Sequence, residues 1–349
     1  MRRLFGAAVI AALIGGCSSS GSAVSPPAPT TVVASTRATA APITGARTTT
    51  TTTAATRAAG TTTTTAAVAP TTYAVGQHSV ELVDTSRPTP ANGTFQGAPT
   101  RTLPTLILYP AAGDPSAALA EDAPPAEAAY GFPVVIYAHG NNGSPELSLP
   151  MLTRLAAGGF VVAAPAFPLS KRDAPGGHTS ADYRQQPADM RFVLDNVLAG
   201  RVGPVPAVDG GRVAVVGHSL GAITVLGLTQ NSCCHDDRIK AAVAISGTQD
   251  QWDGKWYQPP TTPLLLIHGD HDDVVPFTGS TDVFAAAPSP VGLVRLINGP
   301  HALYGPPWLD VVAATTIDFL RAELDDDATA QAALAVDGNQ PGLATFQQR

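Results

Sequence analysis

The sequence predicts an α/β fold, a mostly parallel central sheet with helices on both faces, and three observations predict it. Six short runs, at 132–138, 160–164, 212–216, 239–245, 264–268 and 293–297, are nearly continuously apolar, as strands covered on both faces must be. Between and after them, segments 147–157, 187–198, 220–229 and 307–320 carry apolar residues at helical spacing. Two further runs, 78–87 and 101–109, alternate in character across a Pro/Asn/Gly turn region, which suits an antiparallel pair at one edge of the sheet. Right-handed crossovers between the parallel strands then place helices on both faces.

Taken in chain order, the first element is an export signal. Arg2 and Arg3 form a positive start, residues 4–14 an apolar stretch, and Leu13-Ile14-Gly15-Gly16-Cys17 a small-residue processing site. The apolar stretch is too short to span a bilayer permanently. The site resembles a bacterial lipobox, in which Cys17 becomes the acylated first residue of the mature chain; an ordinary signal peptide cut nearby is the alternative. The expected location is therefore the outer face of a bacterial cell membrane, held there by a lipid at Cys17, or the surrounding medium.

Residues 18–72 are dominated by Thr, Ala, Pro and Ser, with unbroken Thr at 48–53 and 61–65. Such a stretch cannot bury enough apolar surface to offset chain entropy. It reads as a disordered linker, with O-glycosylation or a bare spacer both open. The folded domain is expected over 73–324. The tail 325–349, with Asp325-Asp326-Asp327 followed by Ala, Gly and Gln, has weak pattern and is expected to be weakly structured.

The chemistry gathers where strands end. Gly217-His218-Ser219-Leu220-Gly221 follows the run 212–216 and opens a helical segment. A serine at a tight strand-to-helix turn is strained, and it needs small neighbours so that strand and helix can approach. A helix N-terminus beside it favours the negative charge that develops on attack. A serine hydroxyl is a poor nucleophile without an imidazole to take its proton and a carboxylate to orient that imidazole. Downstream, Gly269-Asp270-His271-Asp272-Asp273-Val274-Val275-Pro276 follows one strand and Asn298-Gly299-Pro300-His301 follows the next. Both lie at the carboxyl ends of strands, where open α/β sheets build their sites. Ser219, an acid from the 270–273 cluster and His301 thus form a candidate triad in the order Ser, acid, His.

These blocks, together with Leu106-Ile107-Leu108-Tyr109-Pro110 and Tyr137-Ala138-His139-Gly140-Asn141, resemble the α/β-hydrolase superfamily. Within it the chain is similar to bacterial esterases like dienelactone hydrolase, platelet-activating-factor acetylhydrolase and polyester hydrolases, over about 73–320. The family's Asp-x-x-x-Pro spacing selects Asp272, four residues before Pro276, over Asp270 and Asp273. The resemblance also implies an oxyanion hole from the backbone N–H groups of Asn141 and Leu220. It departs at the nucleophile, since true dienelactone hydrolases carry Cys where this chain has Ser219. Ester hydrolysis through an acyl-enzyme, with no cofactor, is the activity implied.

The other chemistry-bearing residues have plainer readings. His268, Asp270, His271, Asp272 and Asp273 could be taken for metal ligands, but the triad already accounts for that loop and no second ligand group has metal spacing. His139 and His218 read as neighbours that shape the site. Cys233 and Cys234 are the only cysteines besides Cys17; a vicinal disulfide, two free thiols or a link to another chain are all open. Trp252 and Trp256, within 251–257, either line an acyl pocket or pack as a surface loop.

The formal net charge of −7 and the lack of a basic cluster beyond the signal argue against nucleic-acid or electrostatic membrane binding. A small-molecule, lipid or polymer ester is the expected partner, and a monomer the expected state. Because one fold hosts many functions, a peptidase, a lactonase, an acyltransferase and a surface lipoprotein that binds a cell-wall or protein partner remain as alternatives.

Overall fold

The computed structural model describes residues 72–258 and 261–349. The expected signal, Cys17 and nearly all of the linker lie outside the described residues. The chain enters the sheet through β1 (Ala74–Asp84) and β2 (Arg101–Ala111), which pair antiparallel along their whole lengths, with the short β3 (Ala120–Glu121) beside β1. Then come β4 (Phe132–Ala138), α1 (Leu149–Ala157), β5 (Val161–Pro165), α2 (Gln186–Leu198), β6 (Val208–His218) and α3 (Leu220–Gln230). The second half contributes β7 (Ile239–Ile245), β8 (Leu264–Gly269), α4 (Thr278–Ala286), β9 (Val291–Leu296), α5 (Trp308–Asp325), α6 (Ala328–Asp337) and β10 (Ala344–Gln348).

The strand order is β10-β9-β8-β7-β6-β4-β5-β2-β1-β3. The six strands from β4 to β9 are mutually parallel, and the antiparallel members β2 and β10 flank them on the two sides. Successive strand residues face opposite sides, and the core divides accordingly. Val134, Ile136 and Ala138 join Met190, Val225 and Val283 of α2, α3 and α4 on one face. Val135 and Tyr137 join Leu152, Val312 and Leu334 of α1, α5 and α6 on the other. The near-continuous apolar runs are thus explained, because both faces of each central strand are covered. Burying one such Val or Leu side chain is worth about 1.5–3 kcal/mol, so the doubly covered strands form the rigid part of the scaffold.

α3 carries this furthest, since every residue from Leu220 to Gln230 is buried. Its polar groups are satisfied internally: Thr229 donates to the Val225 carbonyl at 2.7 Å, and Gln230 donates to the Thr262 carbonyl at 2.7 Å. Such a helix cannot shift without opening the core, and it begins at Ser219.

Two features differ from the sequence reading. α4 was not anticipated; its Thr278-Gly279-Ser280-Thr281 start has no helical apolar stripe, and only Ser280 and Val283 are buried. The tail 325–349 is regular rather than weakly structured. Asp326 closes α5 in the left-handed conformation, with φ 52°, and the Asp327 side chain caps α6 by accepting from the N–H groups of Thr329 and Ala330. Asp325 meanwhile pairs with Arg212 at 2.5 Å. The acidic run is a joint between two helices, in which the Asp325 carboxylate pairs, the Asp326 backbone turns and the Asp327 carboxylate caps. β10 is polar because it is an edge strand, held by its backbone ladder to β9.

Candidate active site

Ser219 sits between β6 and α3 with φ 56° and ψ −119°, a strained conformation for a residue with a side chain. The flanking glycines make it attainable. A Cβ at Gly217 would lie 2.3 Å from the Gly221 carbonyl oxygen, and a Cβ at Gly221 would lie 2.0 Å from that of Ala138. The Ser219 N–H donates to the Ile245 carbonyl of β7 at 2.9 Å, and its own carbonyl receives the Ala222 and Ile223 N–H groups. The turn is therefore tied to the neighbouring strand on one side and to α3 on the other.

His301 follows β9 and faces Ser219, with Nε2 2.8 Å from Oγ, while its Nδ1 is 2.7 Å from Asp272 Oδ2. An ionised carboxylate only accepts, so Nδ1 carries the proton and Nε2 is left to receive the serine hydroxyl. Asp272 is fully buried at its side chain. Burial pushes its carboxyl up, but the bonds from His301, Val275 and Val274 outweigh that and hold it below the usual aspartate value. Its rivals are occupied elsewhere: Asp270 pairs with Arg295 and caps the Asn298 N–H, and Asp273 is exposed.

The Gly140–Gly143 turn lies over the serine, with the Cβ direction of Gly140 pointing at Ser219 Cβ, 3.0 Å away. Asn142 donates to Ser170, Gly143 to Gly140, and Arg172 to Gly143. Among the described residues, neither the Asn141 N–H nor the Leu220 N–H has a hydrogen-bond acceptor. Two free backbone donors beside a serine hydroxyl can take the negative oxygen of a tetrahedral adduct.

The two neighbouring histidines act as braces. His139 donates from Nδ1 to the Gly140 carbonyl at 2.8 Å and accepts the Phe167 N–H on Nε2 at 3.0 Å. His218 donates from Nε2 to the His301 carbonyl at 2.9 Å. Desolvation pushes each down to about 4, so both are neutral. The reading of both as neighbours that shape the site fits these bonds. Tyr137, Ser148 and Tyr304 add a chain of hydroxyls, 2.7 Å from Tyr137 to each of the others, which joins the segment after His301 to that after the Gly140 turn. Sequence reading missed Ser148 and Tyr304; no spacing joins a serine to a tyrosine 156 positions later.

A cavity of about 350 Å³ opens at the serine, lined among others by Asn141, Leu147, His218, Ala302 and Tyr304. Among the described residues no Asp, Glu, Lys or Arg lines it. Trp252 is not in this lining; it packs edge-on to Tyr183 at 4.9 Å and against Leu220 and Ile223, while Trp256 packs on the core. Cys233 and Cys234, just after α3, are joined to each other as a vicinal disulfide. Among the described residues no cluster of three or more His, Cys, Asp or Glu side chains could hold a metal ion, and no helix is long and apolar enough to cross a membrane.

No protein-family model and no curated protein matches the chain. Among solved structures, a ferulic acid esterase from Streptomyces cinnamoneus is similar, with a TM-score of 0.57 at 20% sequence identity, over 74% of this chain and 93% of that one. The parallel sheet, its flanking helices and this likeness give the domain the α/β-hydrolase fold.

Proposed function

We propose that the protein is a serine hydrolase of carboxylic esters, with Ser219 as nucleophile, His301 as base and Asp272 as supporting acid. The observation that carries the reading is the unbroken line Ser219–His301–Asp272 at 2.8 and 2.7 Å, set beside two backbone donors without acceptors. His301 Nε2 takes the Ser219 proton as Oγ attacks the acyl carbonyl, and the N–H groups of Asn141 and Leu220 receive the oxyanion. The adduct collapses to an acyl-enzyme and the alcohol leaves with the proton from His301. Water, deprotonated by the same imidazole, then releases the acid. Losing one oxyanion donor costs roughly 100-fold to 1000-fold in such enzymes.

The uncharged cavity suits a neutral ester, and the likeness to a ferulic acid esterase supports ester chemistry over peptide cleavage. The amino-terminal pattern supports export, with a lipid at Cys17 holding the enzyme outside the membrane and residues 18–72 as a spacer. A disulfide at Cys233–Cys234 accords with an oxidising compartment.

The test is fluorophosphonate labelling of the wild type and Ser219→Ala, with short and long nitrophenyl esters as reporters. Labelling and turnover in the wild type, both lost in the variant, are expected. A folded wild type that neither labels nor turns over ester overturns the reading in favour of a binding lipoprotein.

A further inference from the structure

The triad carboxylate has a second imidazole on it. His268, near the end of β8, is completely buried at its side chain. Its Nδ1 is 2.7 Å from Ser280 Oγ on α4, and its Nε2 is 3.1 Å from Asp272 Oδ2 and 3.0 Å from the Val275 carbonyl oxygen. A carbonyl only accepts, so Nε2 carries the proton and bridges two acceptors. Nδ1 is then bare and receives the Ser280 hydroxyl. The tautomer is set by the partners on both sides.

The consequence falls on Asp272. Oδ1 accepts the N–H groups of Val274 and Val275, each at 2.8 Å, and Oδ2 accepts from both His301 and His268. All four acceptor positions of the carboxylate are filled. The four residues before it in β8, Leu264 to Ile267, are apolar and fill space. A fifth apolar residue would do the same at position 268, but a histidine there buries polar atoms that need partners.

We propose that His268 is a positioning residue of the candidate site: its Nε2–H shares Oδ2 of Asp272 with His301, which fixes the carboxylate and lessens the charge that Oδ2 presents to His301. The proposal rests on the reading of Ser219, His301 and Asp272 as one working unit. The groups that contact His268 are Asp272 and Val275 on its own loop and Ser280 and the Phe277 ring at the start of α4, and the imidazoles of His301 and His218 act on it through charge. Arg295, its neighbour across the β8–β9 register, is held by Asp270. Burial pushes His268 below the ordinary histidine value, so it acts as a neutral donor.

The test compares the wild type with His268→Leu, His268→Gln and Ser280→Ala. Glutamine can donate to Asp272 from its amide nitrogen and accept from Ser280, so it is the conservative variant. Ser280→Ala removes the hydroxyl on Nδ1, together with its 3.4 Å contact to the Gly247 carbonyl, while keeping the imidazole, and it guards against a folding defect in the leucine variant. The readout is the NMR titration of the His301 ring C–H, which needs no substrate, beside the pH profile of kcat/KM.

In His268→Leu the His301 midpoint and the acid limb of kcat/KM are expected to move to higher pH by about half a unit, the scale of one hydrogen bond. Looser placement of the carboxylate should lower kcat by up to about 100-fold. His268→Gln should return the midpoint to the wild-type value, and Ser280→Ala should move it in the same direction as leucine but less. A midpoint that stays put in folded His268→Leu and in Ser280→Ala overturns the proposal. Absence of ester turnover in the wild type, with the midpoint still moving, overturns the ester reading alone.

Discussion

The alpha carbon of Gly221 faces the carbonyl of Ala138 so closely that an added Cβ would sit 2.0 Å from the oxygen. Backbone atoms of the central strand β4 are on the other side of that contact, so nothing flexible can give way. Gly221→Ala is expected to displace the Ser219 turn and to lower kcat by 100-fold or more, on the scale of about 100-fold for a 1 Å misplacement, together with a reduced thermal midpoint. Gly210→Ala, where the new Cβ meets only Leu198 at 3.4 Å, should change neither. Nitrophenyl-ester assays and thermal melts of the two variants check this; equal behaviour would refute the role of close packing at the turn.

The proposed role of Asp272 as the supporting acid is tested by isosteric changes. Asp272→Asn keeps the shape but offers an amide where His301 needs an acceptor, so the imidazole loses its correct tautomer, at a cost of about 10⁴ in kcat for this kind of triad. Asp270→Asn weakens a pairing with Arg295, and Asp273→Asn alters an exposed side chain. Both should keep kcat within a few-fold of the wild type in the same ester assay.

These predictions separate what sequence patterns carry from what they hide. Asp272 could be chosen over its neighbours because the resemblance supplies an Asp-x-x-x-Pro spacing, and Asp272 stands four residues before Pro276. The six parallel strands were readable because burial on both faces leaves an unmistakable composition. α4 and β10 were not, since α4 buries only two side chains and β10 is held by backbone pairing that side-chain identity does not report. His268 read as the end of a strand; its bond to Asp272 depends on the loop folding back over four residues, and its bond to Ser280 on where α4 docks. Likewise Trp252 was compatible with a pocket wall or a packed loop until its contact with Tyr183 and α3 was seen.

A buried charge cluster lies away from the site. Arg101 is fully buried, with two bonds of 2.6 Å to Asp189 and one of 2.9 Å to Asp182, joining β2 to α2 and the turn before it. Removing the cation leaves buried Asp182 with only the Leu169 N–H and buried Asp189 with only Arg87. Arg101→Met is therefore expected to destabilise the domain by about 3–5 kcal/mol. Arg154→Ala, which breaks an exposed pair with Asp310, should cost less than about 1 kcal/mol. Urea unfolding of both variants measures the contrast, and similar midpoints would show that the Arg101 cluster is not a stability element.

A carboxyl pair on α5 and α6 makes the stability pH-dependent in the opposite sense to an ordinary ion pair. Burial raises Asp318, and the facing Asp337 carboxylate raises it further, to about 7. One Asp318 oxygen is buried without a partner. A carboxyl that holds its proton more tightly in the folded than in the unfolded chain, where it titrates near about 4, destabilises the fold as pH rises. The penalty is absent below the unfolded value, grows between the two, and is complete above the folded one. Asp318→Asn removes the charge and should therefore be more stable than the wild type above pH 7, by on the order of 1 kcal/mol once solvent screening of a half-exposed group is allowed for. Towards about pH 4 the two unfolding curves should converge. A constant difference between them from acid to alkaline pH would mean that the substitution acts through packing and not through the proton.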